Sequence, residues 1–130
     1  MVSKYIPNQG DLVYLDFNPT KGHEQRGFRP AIVISNNVFN INTKMAIVCP
    51  ISSNTKEFPT HYNLENSKKI KGSVFCEHIR SIDYERRNLK FVEKASENDL
   101  LSVMMLSSAC IEGWVLWKYL FKKVFFFGQF

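Results

Sequence analysis

At 130 residues, with 45% apolar and 22% charged side chains, the chain is long enough for one domain with its own core and too apolar for a disordered polymer. Its formal net charge of +5 favours an anionic partner: nucleic acid, an acidic protein segment or an anionic membrane surface. Cys49, Cys76 and Cys110 are odd in number and widely spaced, which argues against a disulfide framework or a zinc site and suits a reducing compartment.

The stretch from Met1 to Pro7 lacks the apolar core of a signal peptide, and no apolar run reaches membrane-spanning length, so the expectation is a cytoplasmic protein with no transmembrane segment. Asn8-Gln9-Gly10-Asp11 reads as a turn that opens a first strand, Leu12 to Phe17. Asn18-Pro19-Thr20-Lys21-Gly22 breaks that strand and starts a loop long enough to suggest function. Pro30 to Ser35 is a second strand, and its unbroken apolar character predicts burial on both faces.

A third apolar run covers Met45 to Cys49 and is expected to stop at Pro50. A polar turn from Ser52 to Lys56 leads to a short strand near His61 to Leu64, and Glu65 to Lys71 is a polar connection. Gly72 to Ile79 reads as one further strand, and Leu89 to Glu93 as a weaker one. The period then changes. Ser96 is a helix N-cap with an acid, Asp99, three residues on, and Leu100, Leu101, Met104, Met105 and Ala109 form a helical apolar stripe that Gly113 ends. Many short strands followed by one helix give a mainly β fold with a C-terminal helix, as a small β-barrel or curled sheet.

The chemistry concentrates in Gly22-His23-Glu24-Gln25-Arg26-Gly27-Phe28-Arg29-Pro30. Proline fixes the backbone where loop becomes strand, so Arg29 should leave the structure at a set angle. Cleaving RNA without a metal needs a proton acceptor for the 2′-hydroxyl, a proton donor for the leaving 5′ oxygen and positive charge at the phosphate. Glu24 can accept, Ser52 can hydrogen-bond a phosphate oxygen, and Arg29, which stays protonated, stabilises charge. On spacing alone a solvated Glu24–Arg29 pair and turn-forming serines explain the same residues.

Glu77, His78 and Arg80 form a second acid–imidazole–arginine set. Strand alternation would send Glu77 to the face opposite His78 and Arg80, leaving the latter two as a phosphate-binding pair. Asp83 to Arg87 with Lys90 has the composition of a strand-binding groove or of a solvated turn. His61 is assigned no role.

The run from Asp11 through Gly22-His23-Glu24-Gln25-Arg26-Gly27-Phe28-Arg29-Pro30-Ala31 closely resembles the opening of MazF/PemK-type toxins, and Val48 to Ser53 and Glu77 to Ile82 keep register with it. The resemblance implies an SH3-like barrel over residues 1–112 that forms a homodimer. It implies metal-independent, sequence-selective cleavage of single-stranded RNA, with no cofactor and no metal. It also implies neutralisation by an acidic antitoxin, with operator DNA bound only indirectly through that antitoxin. Arg29, Ser52 and Glu24 would be catalytic. His23, Arg26, Phe28, Ser53, Lys56, His78 and Arg80 would bind RNA.

Two positions depart from the family pattern: Ser52 stands where threonine is usual, and His78 where glutamine is common. Residues 113–130, dense in aromatics and interrupted by Lys118, Lys122 and Lys123, form a tail of unassigned role. The competing readings are a gyrase-poison-like toxin of the same fold that acts by binding, and an inactive RNA-binding barrel.

Overall fold

The computed structural model describes residues 5–18 and 27–112. Seven strands form one antiparallel sheet: β1 (Asp11–Asp16), β2 (Phe28–Val33), β3 (Met45–Ser52), β4 (His61–Asn63), β5 (Ser73–Phe75), β6 (Arg80–Asp83) and β7 (Lys90–Lys94). They run in the order β4-β5-β3-β2-β1-β7, with β6 also paired to β3. The sheet curls without closing, since β4 and β7 at its two ends do not pair. Helices α1 (Asn37–Thr43) and α2 (Glu97–Ile111) complete the described fold.

Burial on both faces of the central strands holds: Ala31, Ile32 and Val33 have no exposed surface. Alternate residues feed two separate cores. Val13, Leu15, Phe17, Ala31, Val33, Ala46, Val48 and Ile82 make the first. Leu12, Ile32, Cys49, Ile51, Val74 and Cys76 make the second, which α2 covers with Val103, Leu100 and Leu106.

Four expectations need correction. Strand β3 passes through Pro50 to Ser52. Pro50 pairs with Ala31 on one side, and on the other it falls between the end of the β6 pairing at Val48 and the start of the β5 pairing at Ile51. A missing N–H is tolerated there because the strand is changing neighbours.

Second, the run Gly72 to Ile79 is not one strand. It is β5, a 3₁₀ turn at Cys76–His78, and then Ile79 leading into β6. Third, α1 arises where no helix was expected. Asn36 caps it by accepting from the Phe39 N–H at 2.9 Å, and Lys44 ends it in the left-handed region at φ 60°.

Fourth, the buried stripe of α2 is Asp99, Val103 and Ser107, whereas Leu101, Met105 and Ala109 lie exposed. Ser96 does cap α2, accepting from the Asp99 N–H at 3.0 Å. The Asp99 carboxylate turns inward instead of back to the cap, accepting from the Tyr62 hydroxyl at 2.7 Å and from the N–H groups of Glu65 and Asn66.

Candidate nucleic-acid cleavage site

Arg29 lies inside β2, paired across from Leu15, one residue before Pro30. The strand starts earlier than expected because the neck of the preceding loop is already hydrogen-bonded. Phe17 N–H donates to the Gly27 carbonyl at 2.9 Å, and Gly27 N–H donates to the Asn18 side chain at 3.1 Å. Gly27 takes a φ of +83°, which a side chain would strain. Glu24, His23 and Arg26 lie outside the described residues.

The β2–β3 register runs Val33↔Val48, Ile32↔Cys49, Ala31↔Pro50. Carried two residues further, it sets Arg29 level with Ser52. Both positions have the parity of the first core, so both lie on its face, at its rim. Arg80, paired with Val48, shares that parity, and its guanidinium sits 5.5 Å from the centre of the Phe17 ring. Phe17, Pro50, Arg80 and the Glu77–His78 turn line an adjoining cavity of about 420 Å³. Arg29 and Ser52 thus lie level on the face of the first core, and Arg80 lies on the same face further along β3, beside Val48.

Ser52 is nearly buried at 9% exposure, and its hydroxyl accepts from the Asn54 N–H at 3.1 Å. Its O–H proton is therefore left to donate outward. Ser53 and Lys56 are exposed on the turn that follows. Phe28 has the opposite parity to Arg29 and stacks on Tyr14, ring centres 5.6 Å apart at 10°. It belongs to the other face of the sheet.

A family model described as PemK-like, MazF-like toxin of type II toxin–antitoxin systems matches residues 8–106. The chain belongs to this toxin family. Endoribonuclease toxin MazF of Escherichia coli (strain K12) is 38% identical over 87 residues, covering 67% of this chain and 78% of the relative. Endoribonuclease EndoA of Bacillus subtilis (strain 168) is 33% identical over 86 residues, covering 62% and 74%. The crystal structure of MazF from Deinococcus radiodurans superposes with a TM-score of 0.79 at 33% identity, covering 83% of this chain and 98% of that one. A MazE–MazF complex from the same organism gives 0.72 at 29% identity, covering 83% and 97%.

In this PemK/MazF-like chain the second acidic set is arranged differently from the strand expectation. The 3₁₀ turn replaces a two-residue repeat by a three-residue one. Glu77, His78 and Arg80 therefore line the same cavity. Glu77 also holds His61, which sequence reasoning left without a role. Its carboxylate lies 2.8 Å from His61 Nε2 and 3.9 Å from His78 Nε2, and it accepts from the Thr60 hydroxyl at 2.9 Å.

Burial raises the Glu77 pKa, but hydrogen bonds from backbone, His61 and Thr60 outweigh it, and the carboxyl ends below its ordinary value. His61 stacks flat on Phe75, centres 3.8 Å apart at 6°, and Phe75 meets His78 edge-on at 5.5 Å. The available signal was the alternation of His61 and Asn63 on a strand, but nothing in the spacing reveals a partner sixteen residues on.

Asp83 ends β6, and Tyr84 to Arg87 lie in the turn that follows. Arg86 lies 3.7 Å from Asp83, Arg87 donates to the Asn18 carbonyl, and buried Tyr84 donates to the Asn40 carbonyl at 2.9 Å. Among the described residues no group of three or more His, Cys, Asp or Glu is placed to hold a metal ion. No helix among them is long and apolar enough to cross a membrane.

Proposed function

We propose that the chain is a sequence-selective endoribonuclease toxin that cleaves single-stranded RNA without a metal cofactor. The observation that carries this reading is the β2–β3 register, which, carried two residues past Ala31↔Pro50, sets Arg29 level with Ser52 on one face of the sheet. In the reaction the 2′-oxygen attacks the neighbouring phosphorus and the bond from phosphorus to the 5′ oxygen breaks. The products are a cyclic phosphate and a 5′-hydroxyl.

Arg29 neutralises the charge that builds on the phosphate oxygens, and the Ser52 hydroxyl donates to one of them. Glu24 accepts the 2′-hydroxyl proton, and the departing 5′ oxygen takes its proton from solvent water. Lys56, Ser53, His78 and Arg80 hold flanking nucleotides, as do His23 and Arg26 from the loop. Phe28, on the other face, stands outside this set.

The relatives named as endoribonucleases support the activity, and the MazE–MazF complexes support a proteinaceous antitoxin. The net charge of +5 fits an acidic antitoxin segment that competes with RNA for the same rim. The chain acts as a homodimer. A gyrase-poison-like or purely RNA-binding role has no need of an arginine and a hydroxyl set level on one face of the sheet.

The test is incubation of the purified protein with an RNA pool in EDTA, followed by sequencing of the new 5′ ends. Cleavage at a short common sequence is expected, and folded Arg29→Ala should cut at least about 100-fold more slowly. An intact pool after exposure to the folded wild type would refute the reading.

A further inference from the structure

We propose that Arg87 is a positioning residue for the cleavage reaction: from the turn after β6 it holds the neck of the loop that carries Glu24. The inference rests on the reading of Glu24 and Arg29 as catalytic groups. It starts from the two edges of β1. Along a strand the backbone groups of successive residues point to opposite edges, so Asp16 and Asn18 face one way and Phe17 the other. Phe17 turns to β2, its N–H donating to the Gly27 carbonyl at 2.9 Å. On the other edge the pairing with β7 ends at Tyr14↔Lys90. Asp16 and Asn18 therefore lie past the end of that partner strand.

Arg87 takes the vacant place beside them. Its backbone carbonyl accepts from the Asp16 N–H at 2.9 Å. Its guanidinium donates to the Asp16 carbonyl at 3.4 Å and to the Asn18 carbonyl. A charged donor makes such bonds stronger than those between neutral groups. The Asn18 side chain completes the neck by accepting from the Gly27 N–H at 3.1 Å. Residues 19–26 join Asn18 to Gly27, so both ends of the loop are tied, through Asn18, to Arg87. Glu24 stands three residues before Gly27, and Arg29 two residues after it.

Arg87 can serve as an anchor because its own turn is fixed. The buried Tyr84 donates to the Asn40 carbonyl at 2.9 Å, and Leu89 packs against the first core. The Arg87 N–H donates to the Asp83 carbonyl at 2.9 Å, and the Asp83 carboxylate accepts from the N–H groups of Glu85 and Arg86 at 3.2 Å each. Arg86 next to it has an 89% exposed side chain. Two adjacent arginines thus divide: one stands in solvent and the other is directed at backbone carbonyls. A guanidinium in that place acts on geometry, and small displacements of catalytic groups lower the rate steeply.

The first test measures kcat and KM on an RNA oligonucleotide that carries the sequence at which the wild type cuts. Arg87→Met keeps the stem and the backbone carbonyl and removes the guanidinium. It should lower kcat about tenfold or more and leave KM within about twofold, because Arg87 meets the loop neck and not RNA. Arg87→Lys keeps one charged donor and should recover part of that loss. Asn18→Ala should lower kcat in the same way, and adding it to Arg87→Met should change little, since both act through one neck. If Arg87→Met fails to fold, Arg87→Lys and Asn18→Ala carry the comparison. A rise in KM at constant kcat would make Arg87 an RNA contact, and wild-type constants in every variant would show that the neck does not need it. Either result overturns the proposal.

The second test follows amide hydrogen exchange of Gly27 by NMR, without RNA. Arg87→Met should speed it about tenfold, the worth of a hydrogen bond to a charged group. Unchanged exchange would overturn the proposal. If the wild type leaves RNA uncut, the cleavage reading fails, and the Gly27 exchange still decides whether Arg87 holds the neck.

Discussion

Gly72 shows how closely the backbone is drawn around Ser52. Its φ is +139°, and an added Cβ would overlap the Ser52 carbonyl oxygen. Gly72→Ala should cost about 2 kcal/mol or more in denaturant unfolding and reduce cleavage together with stability. A mutant as stable as wild type would show that the approach is loose. Glu77 acts through charge. Its folded pKa lies below the ordinary 4.5, so its contribution is complete above that pH and is lost as pH falls through the lower folded value. Glu77→Gln should lower the neutral plateau of the stability curve, read as Tm against pH, and flatten its acid side, so that variant and wild type converge at low pH. Arg29 and Ser52 stand out in the sequence through the family motif, since spacing alone fits a solvated pair and turn-forming serines equally. The His61–Glu77 contact was not legible there, since it joins residues sixteen apart through a tertiary fold.

At the scale of elements, the strand pattern was readable wherever apolar runs were long. The errors fell where local rules met tertiary context. Pro50 looked like a stop, yet it sits where β3 exchanges β6 for β5 and no donor is required. The turn at Cys76–His78 interrupts a run that alternates well enough to pass for a strand. Helix α1 is too short, and too rich in asparagine and β-branched residues, to stand out by propensity. Its cap and the buried Asn40, which donates to the Pro7 carbonyl at 2.7 Å, hold it.

In α2 the apolar residues alone misplace the buried face, because a polar residue, Asp99, occupies its first turn. Fully buried, Asp99 anchors the β4–β5 region through Tyr62 and two backbone N–H groups. Asp99→Ala strands those donors and should destabilise the fold by about 3 kcal/mol in equilibrium unfolding. A change under about 0.5 kcal/mol, typical of surface sites, would show that the network is dispensable.

For the molecule as a whole, two cores lie back to back across one curled sheet, with Arg29 and Arg80 on the face of the first. A net charge of +5 makes binding there salt-dependent. With Arg29, Lys56 and Arg80 each meeting a phosphate, the affinity for an uncleavable strand should fall with a log–log salt slope of about −2. Lys56→Ala should lower that slope by about 0.7. Fluorescence anisotropy across a salt series measures both, and a flat response would remove the rim as the binding surface. The general cast of the molecule, basic and mainly β with a terminal helix, was legible from composition and period. The placing of Arg29, Ser52 and Arg80 on one face required the register of three strands.

The most direct test of the central claim uses an RNA oligonucleotide containing the preferred cleavage sequence, beside a copy with a single 2′-deoxynucleotide at the scissile position. With the 2′-hydroxyl as nucleophile, the all-RNA strand should be cut in EDTA to leave a cyclic phosphate, visible by mass spectrometry, and the substituted strand should stay whole. Cleavage of the substituted strand at the same bond would contradict the account.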